Sequence, residues 1–292
     1  MEVLLSCYNK YVIESISNVF SSISDPISDK HWFLTPQQHA HEFIIMNAIC
    51  MLLIIVGRSM VSNEKLGTLK KSKSSLTHGP AKSIVPTLLA TVLIINVILN
   101  VIYKTIRGWR ILFFMFQPCH VVSCIYAYCL LTDNIARGTQ VFKLSIYYIF
   151  VTVAALIAPD LTDLQLPFEQ HNFFIQHYAL LISPFVLHIY KYNIEFQWSH
   201  ALMSGGLIGL THFSLFEILS FISGINLNYM LFPPPLGDFS YLAQESYRIL
   251  TTVTLVNLSW FLGYLVVLIS NALKPFILKS LTPIPSPKSK TN

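Results

Sequence analysis

The sequence predicts an all-α fold, a polytopic transmembrane helix bundle of about seven spans. Three observations carry that expectation. Hydrophobic residues make up 53% of the 292-residue chain, charged residues only 11%, and mean hydropathy is +0.57. A soluble domain carries roughly 25% charged residues, so this chain has too little charge to cover a water-facing surface. The apolar residues fall in runs of about 20, the length that crosses a hydrocarbon core. Lys and Arg are also segregated between the breaks, as they are in membrane proteins of fixed orientation.

In chain order the expected spans are 42–58, 83–104, 109–131, 141–159, 168–190, 198–222 and 250–272. The first is the shortest and the fifth contains Pro184, so a six-span arrangement with one re-entrant or peripheral segment is the alternative. Residues 1–41 have scattered apolar positions and read as an interfacial segment. Residues 42–275 form the bundle, and 276–292, rich in Ser, Pro and Lys, read as a disordered cytosolic tail. The start of the chain carries Glu2 and lacks the basic-then-apolar order of a cleaved signal peptide. There is no internal repeat of the transporter kind.

Orientation follows from the loops. The break after the first span holds Arg58, Lys65, Lys70, Lys71, Lys73 and Lys82, and the C-terminal region holds Lys274, Lys279, Lys288 and Lys290. The break "DLTDLQLPFEQHN" has Asp160, Asp163 and Glu169 and neither Lys nor Arg. The basic segments belong on the cytosolic side, with the N-terminus lumenal and the C-terminus cytosolic. The net charge of +5 is thus a topology signal and not a sign of nucleic-acid binding.

An ionisable residue inside a span is a functional hypothesis, because it is costly in lipid. The candidates are Cys119 and His120 in the third span, His177 and His188 in the fifth, and His212 in the sixth. At 1.5 Å per residue, Cys119 lies about 15 Å from the lumenal surface, His177 roughly 13–14 Å and His212 about 15 Å. One cysteine and two histidines on three helices share one layer. His188, eleven residues beyond His177, reads as interfacial near the other surface.

A thiol beside an imidazole is the smallest nucleophile–base pair. The histidine takes the thiol proton during attack and returns it to the leaving group. Pro118 removes an N–H from the helix, leaves the Phe114 carbonyl without its usual partner and kinks the chain beside the thiol. The plainer readings are packing for a membrane cysteine and a helix–helix hydrogen bond for a membrane histidine. Cys7, Cys50, Cys124 and Cys129 follow no disulfide pattern and read as free thiols. A zinc site would draw on Cys119, His120, His177 and His212. Neighbours on a helix point about 100° apart, so Cys119 and His120 do not share an ion. No HExxH or CxxC spacing is present, and no metal is predicted. Arg248, just before the last span, either snorkels or offers a lipid phosphate a bidentate partner. Asn226 and Asn228, in "INLNYMLFPPP", either cap the site or form turns.

These motifs give the chain a resemblance. "QPCH" at 117–120, "VFKL" at 141–144, "LPFE" at 166–169, "IQH" at 175–177, "HFS" at 212–214, "INLNYML" at 225–231 and "YRI" at 247–249 stand in the order and near the spacing of the transmembrane protein 164 family. The resemblance implies an acyltransferase of the endoplasmic reticulum membrane. It would move a polyunsaturated acyl chain from a diacyl phospholipid to a lyso ether phospholipid through a cysteine acyl-enzyme. Cys119 would be the nucleophile and His177 the base, with His120, His212, Asn226, Asn228 and Arg248 as supporting or substrate-binding residues. The family is also similar to the androgen-induced gene 1 group of membrane lipid hydrolases, so hydrolysis is a neighbouring chemistry. Membrane phospholipids are the expected partners, and no cofactor is needed because the donor is itself a lipid. The rival readings are a zinc- or thiol-dependent membrane lipid hydrolase and a non-enzymatic seven-span transporter or receptor.

Overall fold

Where the helices begin and end follows from ordinary capping chemistry. The computed structural model describes residues 6, 8–24, 33–68, 84–234 and 244–281. A π-helical turn, Tyr8–Ile13, leads into α1 (Glu14–Ile23). Helix α2 (Pro36–Thr68) starts with proline at its first position, where no N–H is needed, and the Thr35 hydroxyl accepts the Gln38 N–H at 3.2 Å. Helix α3 is Ile84–Arg107. A 3₁₀ segment, Ile111–Phe116, precedes α4 (Pro118–Leu131). Helix α5 (Ile135–Ser145) is capped by the Asn134 side chain, which accepts the Arg137 N–H at 3.0 Å. It continues through the turn Ile146–Tyr148 into α6 (Ile149–Ile157). Helix α7 is Glu169–Tyr190. Helix α8 (Trp198–Leu210) passes through a π-helical segment, Thr211–Phe216, into α9 (Glu217–Ser223). Gly224 stops α9 in the left-handed conformation, φ 69°, which costs glycine little. Helix α10 is Tyr247–Leu281.

Among the described residues six helical stretches are long and apolar enough to cross a membrane: Pro36–Val61, Ile84–Arg107, Ile135–Ile157, Glu169–Tyr190, Trp198–Ser223 and Tyr247–Ser280. The remaining apolar helix, Pro118–Leu131, is shorter. All seven predicted runs are helical, but the exceptional one is neither the first nor the fifth. The first run belongs to a helix that begins at Pro36, and Pro184 sits within an unbroken α7. The third run is the divided one. Counting 3₁₀ and α rises, residues 111–131 extend about 33 Å, so the tighter first part makes up length that an α-helix of 14 residues lacks.

The expected kink at Pro118 takes a different form. Pro118 is the first residue of α4, and Gln117 before it is extended, with φ −55° and ψ 145°. The Phe114 carbonyl is satisfied by the Gln117 N–H at 3.0 Å, a 3₁₀ bond. The proline therefore starts a helix and does not bend one. A fresh helix N-terminus lies within an apolar span.

The bundle is closest-packed between α2 and α8. A Cβ on Gly206 would lie 2.5 Å from the Cys50 carbonyl oxygen, so only glycine permits this approach. Helices α3, α4 and α7 pack against one another and bury Leu93, Tyr126 and Leu180 in the main core. The π-helical turn and α1 bury Ile13 and Phe20 against Ala40, Phe221 and Leu231. The predicted loop lysines Lys70, Lys71, Lys73 and Lys82, the C-terminal Lys288 and Lys290, and Cys7 lie outside the described residues.

Candidate functional site

Helix α3 is amphipathic with its polar face turned inward. Leu88, Ile95, Ile98 and Ile102 are exposed, while Asn96, Asn100 and Lys104, spaced four residues apart, are buried. This is the arrangement expected when lipid covers one face and protein the other. Asn172 and Gln176 repeat the spacing on α7. The Asn96 amide donates to the Asn172 carbonyl and side-chain oxygens at 2.7 and 2.8 Å. The Asn100 amide donates to Asn96 Oδ1 at 2.9 Å and to Gln176 Oε1 at 3.5 Å. A polar ladder thus leads from α3 through α7 to the start of α4.

At that start Gln176 Nε2 reaches three acceptors: the Cys119 carbonyl at 3.3 Å, His120 Nδ1 at 3.0 Å and Ser123 Oγ at 3.0 Å. Ser123 Oγ in turn donates to the Cys119 carbonyl at 2.7 Å. Cys119 stands in the first turn of α4, half-buried, with its sulfur beside the main-chain N–H groups of Cys119 and His120. The His120 N–H is already bonded to the Gln117 carbonyl at 3.0 Å, and a helix N-terminus favours negative charge through its dipole. A thiolate, or an oxyanion formed beside it, has the Cys119 N–H and the positive end of the helix beside it here.

The two neighbouring histidines have opposite assignments. His120 Nδ1 faces an amide nitrogen, which only donates, so Nδ1 is the bare nitrogen and Nε2 carries the hydrogen. His177, 2% exposed on α7, places Nδ1 2.7 Å from the Phe173 carbonyl, which only accepts. Nδ1 is therefore protonated, and the Nε2 lone pair of His177 is left to take a proton. The Phe173 ring packs on the imidazole with centroids 4.0 Å apart and fixes its plane. His120 lies within electrostatic range of both His177 and Lys104. Cys119, His120 and His177 are thus brought to one region, on α4 and α7.

The end of the bundle beyond this region is a charged rim. Glu169 Oε2 accepts the N–H groups of Gln165 and Leu166 at 2.9 and 3.0 Å, and its Oε1 lies 3.8 Å from Arg107. Arg107 also bonds the Asp163 carbonyl and sits 3.9 Å from its carboxylate. In the same loop, burial raises the Asp160 carboxyl. Hydrogen bonds from Thr162 and the Tyr229 hydroxyl outweigh that and hold it below its ordinary range.

His212 belongs to a second cluster. It lies in the π-helical segment, its Nδ1 accepts from Asn228 at 3.0 Å, and Arg248 is within electrostatic range. The group that orients His177 is the Phe173 carbonyl. Asn226 builds a turn: its Oδ1 accepts the N–H groups of Leu231 and Phe232 at 2.8 and 3.1 Å. Arg248 neither snorkels nor faces a lipid phosphate. It is 1% exposed and paired with Glu42 at 3.2 Å and Glu217 at 2.9 Å. His39 bonds Glu217 at 2.7 Å and also meets Arg248. His188, expected at the interface, is buried and bonded to Asn271 at 2.9 Å. Sequence reading passed over Asn96, Asn100, Lys104, Gln176, His39, Glu42 and Glu217. The four-residue spacing of Asn96, Asn100 and Lys104 in an otherwise apolar run was the available signal.

Among the described residues no three His, Cys, Asp or Glu side chains converge as metal ligands, and Cys50, Cys119, Cys124 and Cys129 are free thiols. A helical bundle with lipid-facing apolar surfaces and an inward polar ladder defines a multi-pass membrane protein. The TMEM164 family model matches residues 33–264, which takes in every part of the site above, and the chain belongs to that family. It is 55% identical over 272 residues to the transmembrane protein 164 homolog of Dictyostelium discoideum, covering 93% of this chain and 98% of that one. No solved structure matches the chain.

Proposed function

We propose that the chain is an intramembrane phospholipid acyltransferase that works through a Cys119 thioester. It moves a polyunsaturated acyl chain from a diacyl phospholipid to a lyso ether phospholipid, in the membrane of the endoplasmic reticulum. What supports this reading is that Cys119 and His177 stand on two helices packed against each other, α4 and α7, with His120 of α4 within electrostatic range of His177. The cysteine opens a helix within an apolar span, and the histidine on the adjoining helix has its Nδ1 committed and its Nε2 bare.

The reaction is two displacements. His177 Nε2 takes the thiol proton as Cys119 Sγ bonds the ester carbonyl carbon. The tetrahedral intermediate collapses with cleavage of the carbon–oxygen bond to glycerol, and the His177 proton passes to that oxygen, releasing a lysophospholipid. The hydroxyl of the ether acceptor then attacks the thioester, giving its proton to the same Nε2. Collapse breaks the carbon–sulfur bond, and the departing sulfur recovers the proton. The Cys119 N–H and the positive end of α4 stabilise negative charge near the sulfur. Burial of the site keeps water from competing with the acceptor.

The test is transfer of labelled acyl chain from phosphatidylcholine to a lyso ether acceptor by purified protein in vesicles. Cys119→Ala is expected to fall to background and His177→Ala by about 10²–10⁴-fold. Wild-type turnover in Cys119→Ala would refute the acyl-enzyme.

A further inference from the structure

Lys104 is a buried charge that the two displacements leave unused. It is 5% exposed in the last part of α3, yet among the described residues it makes no hydrogen bond or ion pair. Its ammonium lies 5.2 Å over the Phe114 ring. Cys119, Glu169, Asp163 and Arg107 act on it electrostatically at longer range. Neither carboxylate there is within ion-pair distance of Lys104: Glu169 Oε2 accepts two backbone N–H groups, its Oε1 has no hydrogen bond and lies 3.8 Å from Arg107, and the Asp163 carboxylate lies 3.9 Å from Arg107. An ammonium taken from water without an acceptor costs several kcal/mol, and a lone basic group inside a span marks a ligand path. This lysine calls for an anion that the chain does not supply.

Its position along the bundle identifies the anion. Arg107, Asp163 and Glu169 form the rim at the end of the span. Lys104 is three residues further in, about 4.5 Å along the axis, and its charge acts on both the rim and Cys119. A glycerophospholipid entering with its acyl chains toward the membrane centre has the same order, head group outermost, then phosphate, then ester. Only a handful of bonds separate phosphate from ester. We propose that Lys104 anchors the phosphate of the glycerophospholipid whose ester carbonyl is presented to Cys119, with the Phe114 ring as the wall behind the ammonium. This rests on the acyl-transfer reading and adds a substrate rule: the site takes glycerophospholipids in preference to uncharged glycerides. The role is binding and orientation, not proton transfer.

The test compares wild type, Lys104→Met and Lys104→Arg with two donors carrying the same acyl chains, phosphatidylcholine and diacylglycerol. Thioester formation on Cys119 gives KM and kcat for each, and the iodoacetamide alkylation rate of Cys119 reports on the thiolate. Lys104→Met is expected to raise KM at least tenfold for phosphatidylcholine and leave the diacylglycerol KM unchanged, with the slower alkylation that follows loss of a nearby charge lowering kcat alike on both donors, and to be largely rescued by Lys104→Arg. Slower alkylation with equal kcat losses and no difference in KM between the donors would overturn the anchor and make Lys104 a stabiliser of the thiolate. No change on either donor would also overturn it. If wild type forms no thioester with either donor, the acyl-transfer reading fails and binding decides the anchor. A tenfold weaker Kd of Lys104→Met for a short-chain phosphatidylcholine, with diacylglycerol unaffected, sustains it, and equal affinities reject it.

Discussion

His120 and His177 lie within electrostatic range of each other with opposite ring nitrogens committed, and hydrogen bonding alone separates them. His120 spends its acceptor nitrogen on Gln176, whereas His177 spends its donor on Phe173 and keeps Nε2 bare. Initial transfer rates should therefore fall by about 10²–10⁴-fold in His177→Gln and by less than about tenfold in His120→Gln, where an amide can still meet Gln176. A larger loss at His120 than at His177 would reverse the assignment. Depth counting from sequence picks out Cys119, His177 and His212, but depth does not fix the direction a side chain takes around its helix. His212 shares the layer and still bonds Asn228, beside Arg248. Lys104 is missed for a different reason: a lysine near a span end is ordinarily taken to snorkel, although its spacing from Asn96 and Asn100 puts it on the inward face, where it is buried.

At the level of elements, one feature places the site and a second ties the bundle together. The break at Gln117 creates the helix N-terminus on which Cys119 stands. Sequence locates the proline, but whether a proline kinks a helix or begins one depends on the conformation of the residue before it. The second feature is the ion cluster that joins α2, α9 and α10 through Glu42, Glu217 and Arg248. Its members are far apart in sequence, so no local motif announces it. Arg248→Met leaves two carboxylates buried without their cation and should destabilise the fold by roughly 3–5 kcal/mol. Adding Glu217→Gln to that variant should recover part of the loss. Thermal unfolding followed by size-exclusion chromatography in detergent measures both, and a double variant no more stable than Arg248→Met would contradict the pairing.

For the whole molecule, the bundle and its seven apolar segments are legible from composition and run length, because a helix that crosses lipid must be a continuous apolar run of about 20 residues. The helix boundaries are less so, since caps such as Thr35 and Asn134 extend or stop helices independently of hydropathy. With the N-terminus lumenal, a glycosylation sequon inserted in the 160–166 loop should be glycosylated in cells and one in the 282–292 tail should not. The opposite pattern would invert the topology and put the Cys119 end of the bundle at the cytosol. The central claim is the covalent intermediate, and its most direct test needs no acceptor. Wild-type protein incubated with labelled phosphatidylcholine alone should carry one acyl group on Cys119, found by mass spectrometry of the peptide, released by hydroxylamine and lost when a lyso ether lipid is added. An unmodified Cys119 under conditions where transfer proceeds would contradict the account.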